Sequence, residues 1–123
     1  MISKEKLIEL RENLENSQNP LFFFDNDTDG LCAFLILRKA LGRGKGVAIK
    51  SFPDLKEQYL RKVDELNPDT VIILDRAETS KEFIEGVDKK NIPIIWIDHH
   101  KSKTKKELIE KTHYYNSLPS AEP

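Results

Sequence analysis

Three groups of side chains that could bind a metal ion each follow directly after a short apolar run of the sequence. The first is Asp25-Asn26-Asp27-Thr28-Asp29-Gly30, the second is Asp75 alone, and the third is Asp98-His99-His100. Buried parallel strands are continuous apolar runs, and ligands of open α/β sheets bind beyond the carboxyl ends of the strands. The three groups are therefore predicted to meet at one edge of a sheet, where carboxylates and imidazoles suit a divalent transition metal.

The first group, which we call the acidic loop (residues 25–30), has three other interpretations. An EF-hand calcium loop would need a glutamate at its twelfth position, which is Ile36, and the loop follows an apolar strand rather than a helix. A haloacid-dehalogenase-type phosphatase would use Asp25 as its nucleophile, but Asp29 stands where that pattern has threonine or valine. A solvated turn would leave three carboxylates repelling one another within five residues. A cation-binding loop is the better explanation.

The Asp-His-His triplet (residues 98–100) is the more specific of the other two groups. Adjacent residues at a strand end point in different directions, so one imidazole can bind a metal while the other faces a substrate. Asp75 alone could cap the next helix, or the nearby Arg76 and Glu78 could form exposed ion pairs of little energetic weight. The third histidine, His113, is predicted to be a strand or surface residue.

Two further segments could contact phosphate. The glycine-rich segment Gly42–Gly46 follows a predicted helix and lacks the strand-loop-helix context of a Walker loop, so a helix end and a turn are expected there. A lysine-rich segment follows the triplet, and it is either a solvated helix face or a binding surface for substrate phosphates. Its members are Lys101, Lys103, Lys105 and Lys106.

Strands and helices that would position these groups alternate along the chain. Strands are predicted at 21–24, 46–51, 70–74, 92–97 and 113–115, and helices at about 3–16, at 31–41, from Asp54 to 66, and after capping boxes at Thr79/Glu82 and Thr104/Glu107. This alternation predicts an α/β fold: a three-layer αβα arrangement with a mainly parallel sheet of about five strands and right-handed crossovers. One domain is expected over 1–123, with the motif-bearing core at about 20–116 and a terminal loop at 117–123.

Composition limits the class of protein. The 123 residues include 20 basic and 21 acidic side chains, so there is no global basic field and any nucleic-acid contact must be local. The single cysteine excludes an intramolecular disulfide framework and suits a reducing compartment. Neither a membrane span nor a signal peptide is recognisable. We expect a soluble, cytoplasmic protein without a membrane partner.

Taken together, the three groups resemble motifs I, II and III of the DHH phosphoesterase superfamily, over about residues 21–101. The triplet Asp98-His99-His100 is the literal motif III, and the acidic loop is similar to the RecJ-type form of motif I, D-x-D-x-D-G. The superfamily includes RecJ-type single-strand exonucleases, oligonucleotide and cyclic-dinucleotide phosphodiesterases, and family II inorganic pyrophosphatases. The resemblance implies a metal-dependent phosphoesterase, with a RecJ-like single-strand nuclease or an oligonucleotide phosphodiesterase as the expected activity.

The resemblance also implies roles for individual residues. Two manganese ions (Mn²⁺), or Mg²⁺ in their place, would activate a water for attack on the phosphodiester. The implied metal ligands are Asp25, Asp27, Asp29, Asp75 and His99, of which Asp75 would bridge the two ions. Asp98 would support His99. The implied contacts to substrate phosphate are His100, Lys101 and Lys103, and the implied catalytic residues are Asp75, His99 and His100.

The sequence departs from the family pattern after the triplet. The family supplies a further metal-binding aspartate, motif IV, whereas the only acidic residue after Lys111 is Glu122. We therefore expect a chain truncated before motif IV, with a missing C-terminal region or a second chain completing the site. Single-stranded nucleic acid or a short oligonucleotide is the expected partner. A noncatalytic RecJ-like replication scaffold is the alternative, although the retained ligands argue against it.

Overall fold

The computed structural model describes residues 2–49, 57–102 and 104–117, and they form a sheet of five parallel strands in the order β2-β1-β3-β4-β5. The strands are β1 Pro20–Asp25, β2 Lys45–Ile49, β3 Thr70–Leu74, β4 Ile94–Asp98 and β5 His113–Asn116. The helices are α1 Lys4–Glu15, α2 Thr28–Leu41, α3 Glu57–Leu66, α4 Lys81–Lys89 and α5 Lys106–Ile109. The predicted α/β class, with helices flanking a parallel sheet of about five strands, is confirmed.

Both faces of the sheet are covered, which explains why its strands read as continuous apolar runs. On one face, Phe23 of β1 packs edge to face against Phe83 of α4 with 5.2 Å between ring centroids, in a core that also includes α3 and α5. On the other face, Phe24 stacks on Phe34 of α2, in a core that α1 completes. Each fully buried phenylalanine contributes about 2–3 kcal/mol from burial alone. The sheet is therefore a rigid support for the residues at its edge.

Three helix starts differ from the sequence prediction. Helix α2 begins at Thr28, not at Leu31, because the Asp27 side chain caps it by accepting a hydrogen bond from the Gly30 N–H at 2.7 Å. Ser80, not Thr79, caps α4. The predicted Thr104 cap is also wrong, since α5 begins after Lys105 without a side-chain cap. The predicted helix start at Asp54 and the end of the second strand at 50–51 lie outside the described residues.

The glycine-rich segment is a helix end and a turn, as predicted. Gly42 has φ +72° and ends α2, with its N–H donating to the Arg38 carbonyl. The Arg38 guanidinium then donates to the Gly44 carbonyl at 2.8 Å. A left-handed residue at this position favours glycine. The end of α2 and the turn that follows it are thus sufficient to explain the glycines of this segment.

Helix α1 is attached to the far edge of the sheet through Tyr115 on β5. The Tyr115 hydroxyl donates to Glu9 Oε1 at 2.5 Å and accepts from Asn13 Nδ2 at 3.2 Å. Burial, together with the hydrogen bond to Glu9, raises the pKa of Tyr115 to about 12. No helix among the described residues is long and apolar enough to cross a membrane.

Candidate metal centre

The three groups of candidate ligands lie at the carboxyl ends of three adjacent strands. In the parallel register Phe24 of β1 is level with Leu74 of β3, which is level with Ile97 of β4. Asp25, Asp75 and Asp98, which come directly after these three residues, therefore lie side by side. The strand order changes direction at β1 and β3, and ligands of open α/β sheets bind at this switch point. The sheet topology alone brings carboxylates from distant parts of the chain together.

Asp75 has an unusual backbone conformation for a residue other than glycine. Its φ is +61°, in the left-handed region, which aspartate and asparagine tolerate better than most residues. The Asp75 N–H donates to the Ile97 carbonyl at 3.0 Å, which fixes the end of β3 against β4. The side chain is only 5% exposed. Such strain persists only where surrounding contacts enforce it, and it is concentrated at functional sites.

The Asp-His-His triplet is organised by two short contacts. His99 Nε2 lies 2.6 Å from Asp75 Oδ1, and His100 Nδ1 lies 2.6 Å from Asp98 Oδ1. The two imidazole rings lie against each other with 4.2 Å between centroids. The structure therefore places Asp98 against His100, whereas the resemblance assigns it to the support of His99. The second oxygen of Asp98, Oδ2, is buried and has no hydrogen-bond partner within the part of the chain that the structure describes.

Burial and neighbouring charges shift the pKa values of His100 and of Asp75. Burial lowers the pKa of His100, but the hydrogen bond and charge of Asp98, with the charges of Asp75 and Asp25, raise it above the ordinary value overall. Burial raises the pKa of Asp75, although the hydrogen bond to His99 opposes that change. His100 is thus favoured in its charged form, as a donor, at the edge of a carboxylate-rich site.

Arg76 is the residue of this site that the sequence analysis missed. The sequence left open an exposed ion pair for it, but its side chain is 7% exposed and its Nη1 lies 2.5 Å from Asp25 Oδ1. Its Nε donates to the Glu78 carbonyl at 3.3 Å, and its own carbonyl accepts from the Trp96 indole at 2.8 Å. Burial raises the pKa of Asp25, and the charge and hydrogen bond of Arg76 oppose that change. The exposed ion pair that the sequence left possible for Arg76 is therefore replaced by a buried pair with Asp25.

The described residues contain two sets of donors whose ligand atoms lie within 4.8 Å of one another. The first set, which we call the imidazole set, comprises Asp75, Asp98, His99 and His100; the second, the carboxylate set, comprises Asp25, Asp27 and Asp75. Asp75 belongs to both.

Of the remaining predicted site residues, the two that the structure describes belong to neither set. Asp29 is exposed on the first turn of α2 and belongs to neither set, but it lines a pocket of about 380 Å³ next to Asp75 and His99. Lys101 is exposed directly after the triplet, and Lys103 lies outside the described residues. The pocket runs between α1 and α2.

Comparison with known protein families decides between the interpretations of the acidic loop. A family model described as the DHH family, N-terminal domain, matches residues 21–121. The chain belongs to the DHH family. This confirms the resemblance seen in the three motifs, and it places the DHH chain in a superfamily of metal-dependent phosphoesterases. The EF-hand and haloacid-dehalogenase interpretations are thereby replaced.

Solved structures similar to the DHH chain share its fold alone. A branched-chain amino acid ABC transporter protein from Rhodospirillum rubrum has a TM-score of 0.56 at 9% identity, with 87% of this chain and 31% of that chain covered. An ABC transporter substrate-binding protein from Sphaerobacter thermophilus has a TM-score of 0.56 at 14% identity, with 74% and 28% covered. The DHH chain thus spans about a third or less of these structures. No curated protein matches it.

The donors of the DHH centre fit a divalent ion. Asp98 Oδ2 is a buried oxygen without a partner among the described residues, and a bound cation would satisfy it. Carboxylate oxygens together with imidazole nitrogens are the mixed ligands that divalent transition metals accept in proteins. The imidazole set supplies both kinds at one point, with Asp75 and Asp98 buried and both histidines exposed.

Proposed function

We propose that the chain is the catalytic domain of a phosphodiester hydrolase, either a RecJ-like single-strand nuclease or an oligonucleotide phosphodiesterase. The observation that supports this most strongly is Asp75, which is shared between the imidazole set and the carboxylate set at the switch point of the sheet. A carboxylate shared in this way could bridge metal ions in a site for in-line displacement at phosphorus. The strained backbone of Asp75 supports the same assignment.

The residues of the site have different proposed roles. Asp75 and His99 would hold the metal, and the packed sheet beneath Asp75 keeps its carboxylate in place. A divalent ion bound there would supply a water of lowered pKa and would offset charge that develops at the phosphoryl group. His100, held by Asp98 and favoured in its charged form, donates to a phosphate oxygen of the substrate. Mn²⁺ is the expected metal, with Mg²⁺ as a substitute.

Single-stranded nucleic acid or a short oligonucleotide is the proposed substrate. The exposed Lys101 follows His100 directly and can extend the phosphate contact along a backbone. Lys103 remains a proposed contact of the same kind. The overall charge of the chain is −1, so binding has to come from this local surface rather than from the global field. A following region or a second chain is proposed to add the remaining ligand.

A hydrolysis assay with a matched control tests the proposal. Manganese-dependent cleavage of 5′-labelled single-stranded DNA and RNA is expected for the wild-type chain and is expected to be lost in Asp75→Ala. Asp88→Asn removes an exposed carboxylate near the C-terminal end of α4, which leads into the start of β4 and not into the carboxyl ends of the strands where the site lies, and it is expected to keep the wild-type rate. Equal activity of Asp75→Ala and wild type would refute the assignment.

Metal binding gives a readout that does not depend on a complete substrate site. Calorimetric titration of the wild-type chain with Mn²⁺ is expected to show binding at micromolar levels. The Asp75→Ala variant is expected to show none. A wild-type chain that does not bind Mn²⁺ would favour the noncatalytic scaffold.

A further inference from the structure

The pocket between α1 and α2 joins an apolar wall to the metal centre. Leu10 of α1 and Ala33 and Leu37 of α2 line it, together with Leu74 and Ile97, the residues that directly precede two carboxylates of the imidazole set. Its volume of about 380 Å³ lies within the range of roughly 300–1,000 Å³ that is usual for sites of small ligands. The pocket is therefore large enough for part of a substrate whose reacting group lies at the metal centre.

The charges around this pocket restrict what can occupy it. Three carboxylates line it, those of Asp29, Asp75 and Asp98, and no lysine or arginine is among the described residues that line it. An anionic group would therefore need the cation of the metal centre to hold it. The aliphatic side chains of the wall offer no hydrogen bond, so a charged or strongly polar group placed against them would lose its hydration without compensation. The pocket thus suits an uncharged, largely apolar group attached to a phosphate at the metal centre.

A nucleobase meets these requirements. It is uncharged at neutral pH, its flat faces can pack against apolar side chains, and a single sugar connects it to the phosphate. The other parts of a nucleic acid, the sugar and the neighbouring phosphates, are polar or charged and do not suit the aliphatic wall. Within a nucleic-acid substrate, the base is therefore the part that the pocket fits.

We infer that the pocket between α1 and α2 receives the nucleobase next to the phosphate at the metal centre. This inference rests on the proposed function, because it assigns a part of the same substrate. A base within a duplex is paired and stacked, and it could enter the pocket only after leaving the duplex, at a cost in free energy. The pocket is therefore a physical reason for a preference for single strands.

Calorimetric titration with sugar phosphates that do and do not carry a base tests the inference. The wild-type chain, saturated with Mn²⁺, is titrated separately with deoxyadenosine 5′-phosphate, with thymidine 5′-phosphate and with the base-free 2-deoxyribose 5-phosphate. At least one of the two nucleotides is expected to bind at least about tenfold more tightly than the base-free compound, because contacts of a base with a protein surface typically contribute that much to affinity.

Ala33→Leu fills the pocket from the side of α2. It is expected to reduce the preference for the nucleotide to less than about twofold, while the affinities for Mn²⁺ and for 2-deoxyribose 5-phosphate stay within about twofold of wild type. Cys32→Leu is the matched control, because it adds a leucine at the neighbouring exposed position, which does not line the pocket. This control is expected to keep the preference for the nucleotide.

Ile36→Asn keeps the test decisive if Ala33→Leu does not fold. Ile36 lines the pocket but is 68% exposed, so folding depends little on its side chain. Its replacement is expected to weaken nucleotide binding at least about threefold and to leave binding of the base-free compound unchanged.

Two results would overturn the inference alone. One is equal affinity of the wild type for all three compounds, which would leave the pocket to an apolar segment of protein. The other is an unchanged preference for the nucleotide in the folded pocket variants. A wild type that binds no Mn²⁺ would overturn the proposed function as well.

Discussion

Replacing Gly30 by alanine should disrupt the turn between β1 and α2 on which the acidic loop depends. A Cβ at this position would lie 2.1 Å from the Asp25 carbonyl oxygen and 2.9 Å from the Asp25 nitrogen. Carbon and oxygen atoms normally approach no closer than about 3.3 Å, so the loop must shift by about 1 Å. The obstacle is backbone, which cannot rotate away as a side chain can. The shift would also strain the bond from the Gly30 N–H to Asp27.

The expected cost follows from these two effects. Overpacking costs about 1–3 kcal/mol, and loss of a helix cap about 1 kcal/mol more. A total of about 3 kcal/mol is a large part of the 5–15 kcal/mol by which domains are stable. Urea unfolding followed by fluorescence measures it, because the single tryptophan, Trp96, is buried in the core.

Gly42→Ala is the matched control for this measurement. Gly42 has φ +72° and nothing within 4 Å of its added Cβ, so only left-handed strain of about 1 kcal/mol is expected there. If Gly30→Ala were no more destabilising than Gly42→Ala, the close approach of the loop to α2 would be refuted.

Two further predictions concern buried ionisable groups. The pKa of Asp75 is raised by burial in the folded state, so its charge destabilises the metal-free protein above that pKa and the penalty disappears as pH falls through it. Asparagine tolerates the same φ, so Asp75→Asn is expected to unfold at an equal or higher urea concentration than wild type at neutral pH without metal. The variant is also expected to bind Mn²⁺ at least about 100-fold more weakly. A clear loss of stability would contradict the inference that the buried charge of Asp75 is destabilising. The raised pKa of Tyr115 means that its contribution to stability is complete below about pH 10, the ordinary value of tyrosine, and is lost as pH rises toward about 12. Tyr115→Phe is expected to cost about 1 kcal/mol at neutral pH, and the difference between the urea midpoints of variant and wild type should shrink above pH 10; a constant difference would exclude Tyr115 ionisation as its cause.

The fold could be predicted from the sequence because its strongest signals are local. The apolar runs around Phe22–Phe24 and Val71–Leu74 are buried on both faces, and together with the alternation of strands and helices they favour a parallel sheet covered by helices on both sides. Once the strands are parallel, their carboxyl ends must meet. The proximity of Asp25, Asp75 and Asp98 then follows from the strand order alone.

The finer features of the site required three-dimensional contacts. Nothing local in the sequence shows that Arg76 is buried, because its partner Asp25 precedes it by 51 residues. The hydrogen bond of Asp98 to His100 depends on how β4 ends, which the order of the triplet does not specify. Thr79 and Ser80 are equally suitable caps in the sequence. In the structure Thr79 is buried, with its N–H donating to Thr104 Oγ1, and Ser80 caps the helix.

The left-handed backbone of Asp75 bears on how such a domain can change over evolutionary time. Its conformation and the burial of its charge both oppose folding, and the hydrogen bond to His99 offsets only part of the effect of burial on its charge. Substitutions to asparagine or glycine would pass a selection for folding and be removed only by a selection for activity. A lineage released from the second selection would lose its ligand quickly and keep its sheet. Descendants that keep the sheet but have lost the Asp75 carboxylate are the expected product of that drift.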